Sequence, residues 1–470
     1  MWRELFARAE VSRCTIYYSI PWSKCYSVVA TFIIADHEIS GPIVESSWPE
    51  TISHRIQRII DIHRSLPSIV DGSGTSLSYQ ELNLRSTTVA VNLQRLGVEP
   101  GSRIAMLLEP SIEWVASLLA ILRIGAIYVP LDLRSPAPRL RTVMRDSQAS
   151  YVLAHVPTLQ QAQTLKHENL RIIDVSSIEI GNEIETAIVS KADELGFIFY
   201  TSGTTGVPKG TRLKHAGIRN QIESSSKVLK VGPGSRILQQ TAFTFDVSLW
   251  QTLLSLATGS CLIIASSSQR SDPSAIVDLI VSQKVTLTIA TPSEYLWWLQ
   301  DVTGNPLKNS QDWSTAVAAG ELFQPALAQT FRSLQKPNLG VFNAYGPTEA
   351  SIISHMTSID YLKRHESIAI GPAIQNMASY IVDKNLNALP IGFPGELVLA
   401  GIGIADGYIN NNDQTKTKFL PDNFASADFI SRGWNRMYRT GDRSRMNEDG
   451  TVVVEGRISG DNQVKIRGEF

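Results

Sequence analysis

Between residues 103 and 289 the chain alternates apolar, strand-like runs with segments of helical periodicity. That rhythm restricts the fold more than any other feature. Residues 103–107 read as a strand, 112–122 as a helix, 126–129 as a strand and 137–146 as a second helix. The same order returns at 235–239, 247–257, 261–265, 275–283 and 286–289. Such alternation needs crossover connections, and so predicts an α/β fold of mixed or parallel sheets with helices on both faces. After Gly371-Pro372 the texture changes. Short alternating strands, such as 379–382 and 396–400, are broken by Gly, Pro and Asn turns and predict a smaller antiparallel β-barrel or sheet. Upstream, Thr51 or Ser53 can cap a helix whose apolar face carries Ile56, Ile59, Ile60 and Ile62.

Residues 197–210, FIFYTSGTTGVPKG, place a buried-strand pattern directly before a loop of hydroxyls and glycines that closes on Pro208-Lys209-Gly210. Glycines let backbone N–H groups approach an anion, hydroxyls add donors and a lysine adds charge. This is chemistry for gripping a polyphosphate. It is not a Walker loop, because Gly210 follows Lys209 where that motif needs Ser or Thr. The same composition alone would suit a surface linker, but here a strand leads into it and a lysine closes it.

Composition removes several alternatives. Net charge is −1, which argues against nucleic acid or an anionic membrane surface as the main partner. Cys14, Cys25 and Cys261 lie far apart, without disulfide-framework or zinc-ligand spacing. No run reaches the roughly 18 apolar residues of a membrane span. Residues 26–35, YSVVATFIIA, start late for a signal peptide and run into Asp36-His37-Glu38, so a cytoplasmic location is expected.

The 197–210 segment resembles the phosphate-binding signature of the adenylate-forming superfamily, which includes peptide-synthetase adenylation domains, acyl-CoA ligases and luciferases. Further segments occur in the order found in that superfamily: LSYQEL (77–82), LRIGAIYVPLD (122–132), NAYGPTE (343–349), GELVLAGIGIADGY (395–408), YRTGD (438–442) and GRISGDNQVKIRG (456–468). SWPETISHR (47–55) is similar to the entry of adenylation domains in fungal polyketide–peptide hybrid synthetases. The resemblance implies an adenylation core over 44–455, with its β-barrel part at about 371–455. It also implies a hinge and the start of a C-terminal subdomain over 456–470, and leaves 1–43 unmatched as a leader or linker.

The reaction implied is attack of a carboxylate on the α-phosphorus of ATP, with Mg2+ as the metal. Thr201, Ser202, Gly203, Thr204, Thr205, Gly206 and Lys209 are expected around the β- and γ-phosphates. Tyr345 offers a face for adenine, Asn343 an amide for its edge, Thr348 a hydroxyl near phosphate and Glu349 a carboxylate for Mg2+. Asp442 suits a ribose diol because a carboxylate only accepts hydrogen bonds, and Arg457 follows from the hinge side.

Substrate class turns on Asp246. A carboxylate facing an apolar pocket needs a cation, here the α-ammonium of an amino acid, although Asp246 could instead cap a helix. The pocket implied by alignment adds Val247, Trp250, Ile289, Val317, Ala319, Ala344, Ile352 and Ile353, all apolar, which predicts a hydrophobic amino acid. An acyl- or aryl-CoA ligase and a catalytically inactive nucleotide-binding fragment of a longer synthetase remain as alternatives. The chain stops two residues past Gly468, where the superfamily's C-terminal subdomain begins, so the expectation is weakened adenylation, with carrier or other synthetase modules acting in trans. Asp406 stands where the superfamily usually has arginine, and only a structural effect is expected of it.

Overall fold

The computed structural model describes residues 11–16, 30–35, 39–181, 186–201, 208–300, 304 and 306–458. The alternating segments build two helix-flanked sheets. In the first, of six strands, the order is Lys209–Lys214, Leu195–Thr201, Ile127–Pro130, Arg103–Leu107, Tyr151–Ala154, Arg171–Asp174. All its pairings are parallel except the first, an antiparallel hairpin. The second sheet has eight strands, in the order His355–Ser358, Gly340–Tyr345, Thr315–Ala318, Leu287–Ala290, Arg236–Gln239, Cys261–Ile264, Pro67–Val70, Ser76–Ser78. Its interior is parallel and both edge pairings are antiparallel.

The change of texture after Gly371 becomes a third, antiparallel sheet. Its order is Phe419–Pro421, Arg436–Met446, Gly395–Gly401, Met377–Val382, Ile39–Ser40, with Val452–Arg457 also paired to Arg436–Met446. Val11–Ile16 and Ala30–Ala35 pair separately as an antiparallel ribbon. Beyond Ile39–Ser40 the chain straps across the core: Ser47 donates from its N–H and its hydroxyl to Glu223 Oε1, at 3.0 and 2.7 Å.

The helices read from periodicity form for local reasons that the structure makes explicit. Ser78 and Glu81 close a reciprocal capping box on Tyr79–Arg95, and Ser111 caps Ile112–Arg123. Val247–Thr258 ends on Gly259 in the left-handed region. Ile112–Arg123 and Val247–Thr258 are almost wholly buried, which places the main core between the first two sheets.

Two buried histidines tie the core to acid stability. Burial pushes His215 down to about 4 and His355 down to about 3. His355 is held neutral between the hydroxyls of Ser354 (2.9 Å) and Ser379 (3.1 Å), and so bridges the second and third sheets. In the unfolded chain both rings titrate near 6.5, so below that pH the unfolded state binds more protons and stability falls. Each should remove roughly 2 kcal/mol between pH 7 and pH 5. Urea unfolding at the two pH values checks this: a His355→Asn chain should lose less stability over that interval than the parent, and an equal loss refutes the assignment.

Candidate active site

The hairpin of the first sheet holds the ends of the loop expected to bind phosphate. Thr201 lies directly opposite Lys209, so the two ends of the intervening loop are adjacent. Ser202, Gly203, Thr204, Thr205 and Gly206 fall outside the described residues. The strand after the loop is stitched to the turn at 403–409. Ile409 N–H donates to the Gly210 carbonyl (2.8 Å), Arg212 N–H to Gly407 (3.0 Å) and Asp406 N–H to Arg212 (2.9 Å). Asp406 also pairs with the Arg212 guanidinium at 3.1 Å and with Arg436 at 3.8 Å. The departure at Asp406 thus gives an ion pair that fixes the turn against the loop strand.

That turn delivers Tyr408, whose role the sequence did not reveal. Its hydroxyl donates to Glu349 Oε1 at 2.7 Å, and Lys209 Nζ lies 5.7 Å from its ring centroid. Burial lowers the Lys209 ammonium from its ordinary value, and the Glu349 carboxylate opposes that shift. Glu349 itself is only 7% exposed and sits in the short 3-10 turn Thr348–Ala350. Thr348, beside it, is half-buried. Gly346 makes the approach to this turn possible, since a Cβ there would lie 2.4 Å from Ile353 Cα. Ser351 and Ile352 follow with φ of 57° and 79°. For a β-branched isoleucine this left-handed backbone is strained, of the kind concentrated at functional sites.

A second polar group gathers the residues expected to hold the nucleoside. The Tyr345 hydroxyl donates to Asp442 Oδ2, and Arg457 Nη1 pairs with Asp442 Oδ1 at 2.9 Å. Burial and the adjacent Asp442 carboxylate push the Tyr345 phenol well above its ordinary value. Thr440 supports both partners: its hydroxyl accepts the Asp442 N–H and its carbonyl accepts Arg457. Tyr438 joins the two groups, since its hydroxyl is 3.4 Å from that of Tyr408 and its phenol is raised by burial and by Glu349. Lys418, whose ammonium donates to the Arg439 carbonyl at 3.3 Å and feels both Arg457 and Glu349, is a further cation here. Asn343 is engaged through its amide N–H, which donates to the Ala369 carbonyl at 3.0 Å.

Asp246 is 8% exposed and occupies the N-cap position of Val247–Thr258, yet its side chain makes no capping hydrogen bond. Trp250, one turn later, is fully buried and its indole N–H donates to Ser225 Oγ at 3.0 Å. Ile289 and Val317 are register partners on adjacent strands. The Ile289 carbonyl is gripped by Gln240 (2.9 Å) and Gln251 (2.7 Å), which ties this strand to the helix Val247–Thr258. Ala319, Ala344, Ile352 and Ile353 belong to the same buried cluster, with half-buried Val247 packed on it.

A model of the AMP-binding enzyme family matches residues 57–409. The chain belongs to the AMP-binding enzyme family. It is 40% identical over 433 residues to the hybrid PKS-NRPS synthetase thnA of Trichoderma harzianum and 42% identical over 435 residues to xenE of Xenoacremonium sinensis. Each match covers 91% of this chain but 11% of the relative, so the chain spans about a tenth of the length of those synthetases. The nonribosomal peptide synthetase FmoA3 (S1046A) in its AMPPNP-bound form aligns with TM-score 0.80 at 25% identity, over 88% of this chain and 43% of that one. The N-terminal subdomain of Klebsiella oxytoca NpsA aligns with TM-score 0.74 at 22% identity, over 88% of this chain and 100% of that one, a likeness of fold. Among the described residues no helix is long and apolar enough to cross a membrane.

Proposed function

We propose that this AMP-binding core activates a hydrophobic α-amino acid as its aminoacyl-adenylate within a specialised-metabolite synthetase. The observation that carries the reading is a buried acid, Asp246, at the head of a helix whose Trp250 shares one buried apolar cluster with Ile289, Val317, Ala319, Ala344, Ile352 and Ile353. Asp246 pairs with the α-ammonium and the wall takes the side chain. The nucleoside lies against Tyr345, with its ribose hydroxyls donating to the Asp442 carboxylate, which has acceptor capacity beyond its two present partners. Asn343 keeps its amide oxygen for the base edge.

Chemistry then needs two anions brought together. The substrate carboxylate oxygen attacks the α-phosphorus, the bond to the bridging oxygen breaks and pyrophosphate leaves. Lys209, Thr348 and the 202–206 loop neutralise and orient the phosphates. Glu349 fits a Mg2+ site: its Oε1 is taken by Tyr408, and this ion asks for only one or two carboxylates beside phosphate oxygens. When bound, Mg2+ would supply neutralisation of phosphate charge. A carrier protein that accepts the activated acyl group is the partner this chemistry implies. Amino-acid-dependent exchange of labelled pyrophosphate into ATP tests the reading across the common amino acids. Exchange with at least one amino acid of largely apolar or aromatic side chain, tyrosine included, is expected, and ATP binding without exchange for any amino acid would overturn it.

A further inference from the structure

The helix His215–Leu229 carries a stripe at spacing i, i+4, i+8: Gly217, Gln221 and Ser225. Such residues stack on one face, each about 6 Å along the axis from the next. One end of the stripe meets a residue of the amino-acid pocket, and the other abuts Ser351, which directly precedes two of them. A Cβ on Gly217 would lie 2.4 Å from Ser351 Oγ, next to Ile352 and Ile353. Ser225 Oγ receives the Trp250 indole N–H at 3.0 Å. Gln221 lies between them, and helix side chains lean toward the N-terminus, here toward the Ser351 end.

Gln221 is 1% exposed, and neither its amide oxygen nor its amide nitrogen has a hydrogen-bond partner among the described residues. The hydroxyl one turn away is already engaged: Ser225 Oγ donates to the Gln221 backbone carbonyl at 2.9 Å while accepting from Trp250. A buried carboxamide with both functions unmet is unfavourable and uncommon in a native interior. Among the pocket residues the alignment did not single it out, because a lone glutamine in a helical segment has no motif.

We infer that Gln221 is a specificity-determining contact, and that the preferred amino acid has an apolar body ending in a hydroxyl. A hydroxyl both donates and accepts, so it satisfies the amide oxygen and nitrogen together. A phenol matches this description: the ring fills the wall formed by Trp250, Ile289 and Val317, and its tip reaches the carboxamide. The inference rests on the adenylation reading and narrows its substrate class. A site built to hydrogen-bond a hydroxyl rejects the analogue that lacks it, because the protein group is then left unpaired.

The test uses the 470-residue chain and stable aminoacyl-adenylate analogues with a sulfamoyl group in place of phosphate. Calorimetry compares the L-tyrosyl, L-phenylalanyl and L-tryptophanyl analogues on the parent, Gln221→Leu and Gln221→Met chains, with thermal unfolding as a check on folding. The parent should bind the tyrosyl analogue at least tenfold more tightly than the phenylalanyl one. At least one folded variant should bring that ratio to near one or below. Equal binding of the two, tighter binding of the phenylalanyl or tryptophanyl analogue, or an unchanged ratio in every folded variant overturns the inference, and leaves adenylation standing. If no analogue and no ATP binds, the adenylation reading itself has failed and the inference falls with it.

Discussion

Asp246→Ala should lower amino-acid-dependent pyrophosphate exchange by two to three orders of magnitude while ATP affinity stays within about twofold. The argument is electrostatic. Asp246 is 8% exposed at the start of a helix whose Val247 and Trp250 pack in the same cluster as Ile289 and Val317. An ammonium brought to that place without its counter-ion is an uncompensated buried charge. Breaking a buried pair by removing one partner costs about 3–5 kcal/mol. The nucleotide groups Tyr345, Asp442 and Arg457 form their own hydrogen-bonded set, so ATP binding is not drawn into the loss. Exchange kinetics and nucleotide titration separate the two. Undiminished exchange would remove the amino-acid reading, and retained activation of acids lacking an amine would favour the acyl- or aryl-acid ligase instead.

The parts of this architecture that were legible in the sequence are those set by local pattern. The strand read at 126–129 is Ile127–Pro130, and the helix read at 137–146 is Ala137–Ser147, one residue longer at its end. Strand–helix alternation dictated parallel sheets because it forces crossovers. It carried no information on order, such as Pro67–Val70 pairing with Cys261–Ile264 across nearly two hundred residues. The site divides in the same way. Lys209, Glu349, Tyr345 and Asp442 stand in motifs whose residue types suggest anion, metal or diol chemistry, and Arg457 came from the resemblance. Tyr408, Tyr438 and Lys418 were not read as site residues, since either tyrosine is equally good core and a lone lysine is equally a surface charge. Only the pairing of the 403–409 turn with the Lys209–Lys214 strand turns the Tyr408 hydroxyl onto Glu349. Gln221 was invisible for a related reason: its significance is a missing partner, and that is a property of three-dimensional packing.

Glu349→Gln should reduce the rate of adenylation by about 10²–10³, the size of effect expected when one pre-organised electrostatic element, here the carboxylate that would hold Mg2+ against the phosphates, is lost. The substitution is nearly isosteric, and an amide oxygen can still accept the Tyr408 hydroxyl now held at 2.7 Å, so the fold and the Tyr408 position survive. The charge does not survive, and two consequences follow. A hard cation loses its anionic oxygen ligand, so half-saturation should move to higher Mg2+. Lys209 loses the neighbouring carboxylate that holds its ammonium up against burial, so its pKa should fall further below the ordinary lysine value. ATP affinity measured without Mg2+ should be unchanged or tighter, because an anion facing the phosphates has gone. This opposite movement of metal-free binding and catalytic rate marks Glu349 as a metal-holding group. A structural glutamate would instead weaken both together, and a Mg2+ titration of the E349Q chain that superimposes on the parent curve would end its assignment to the metal.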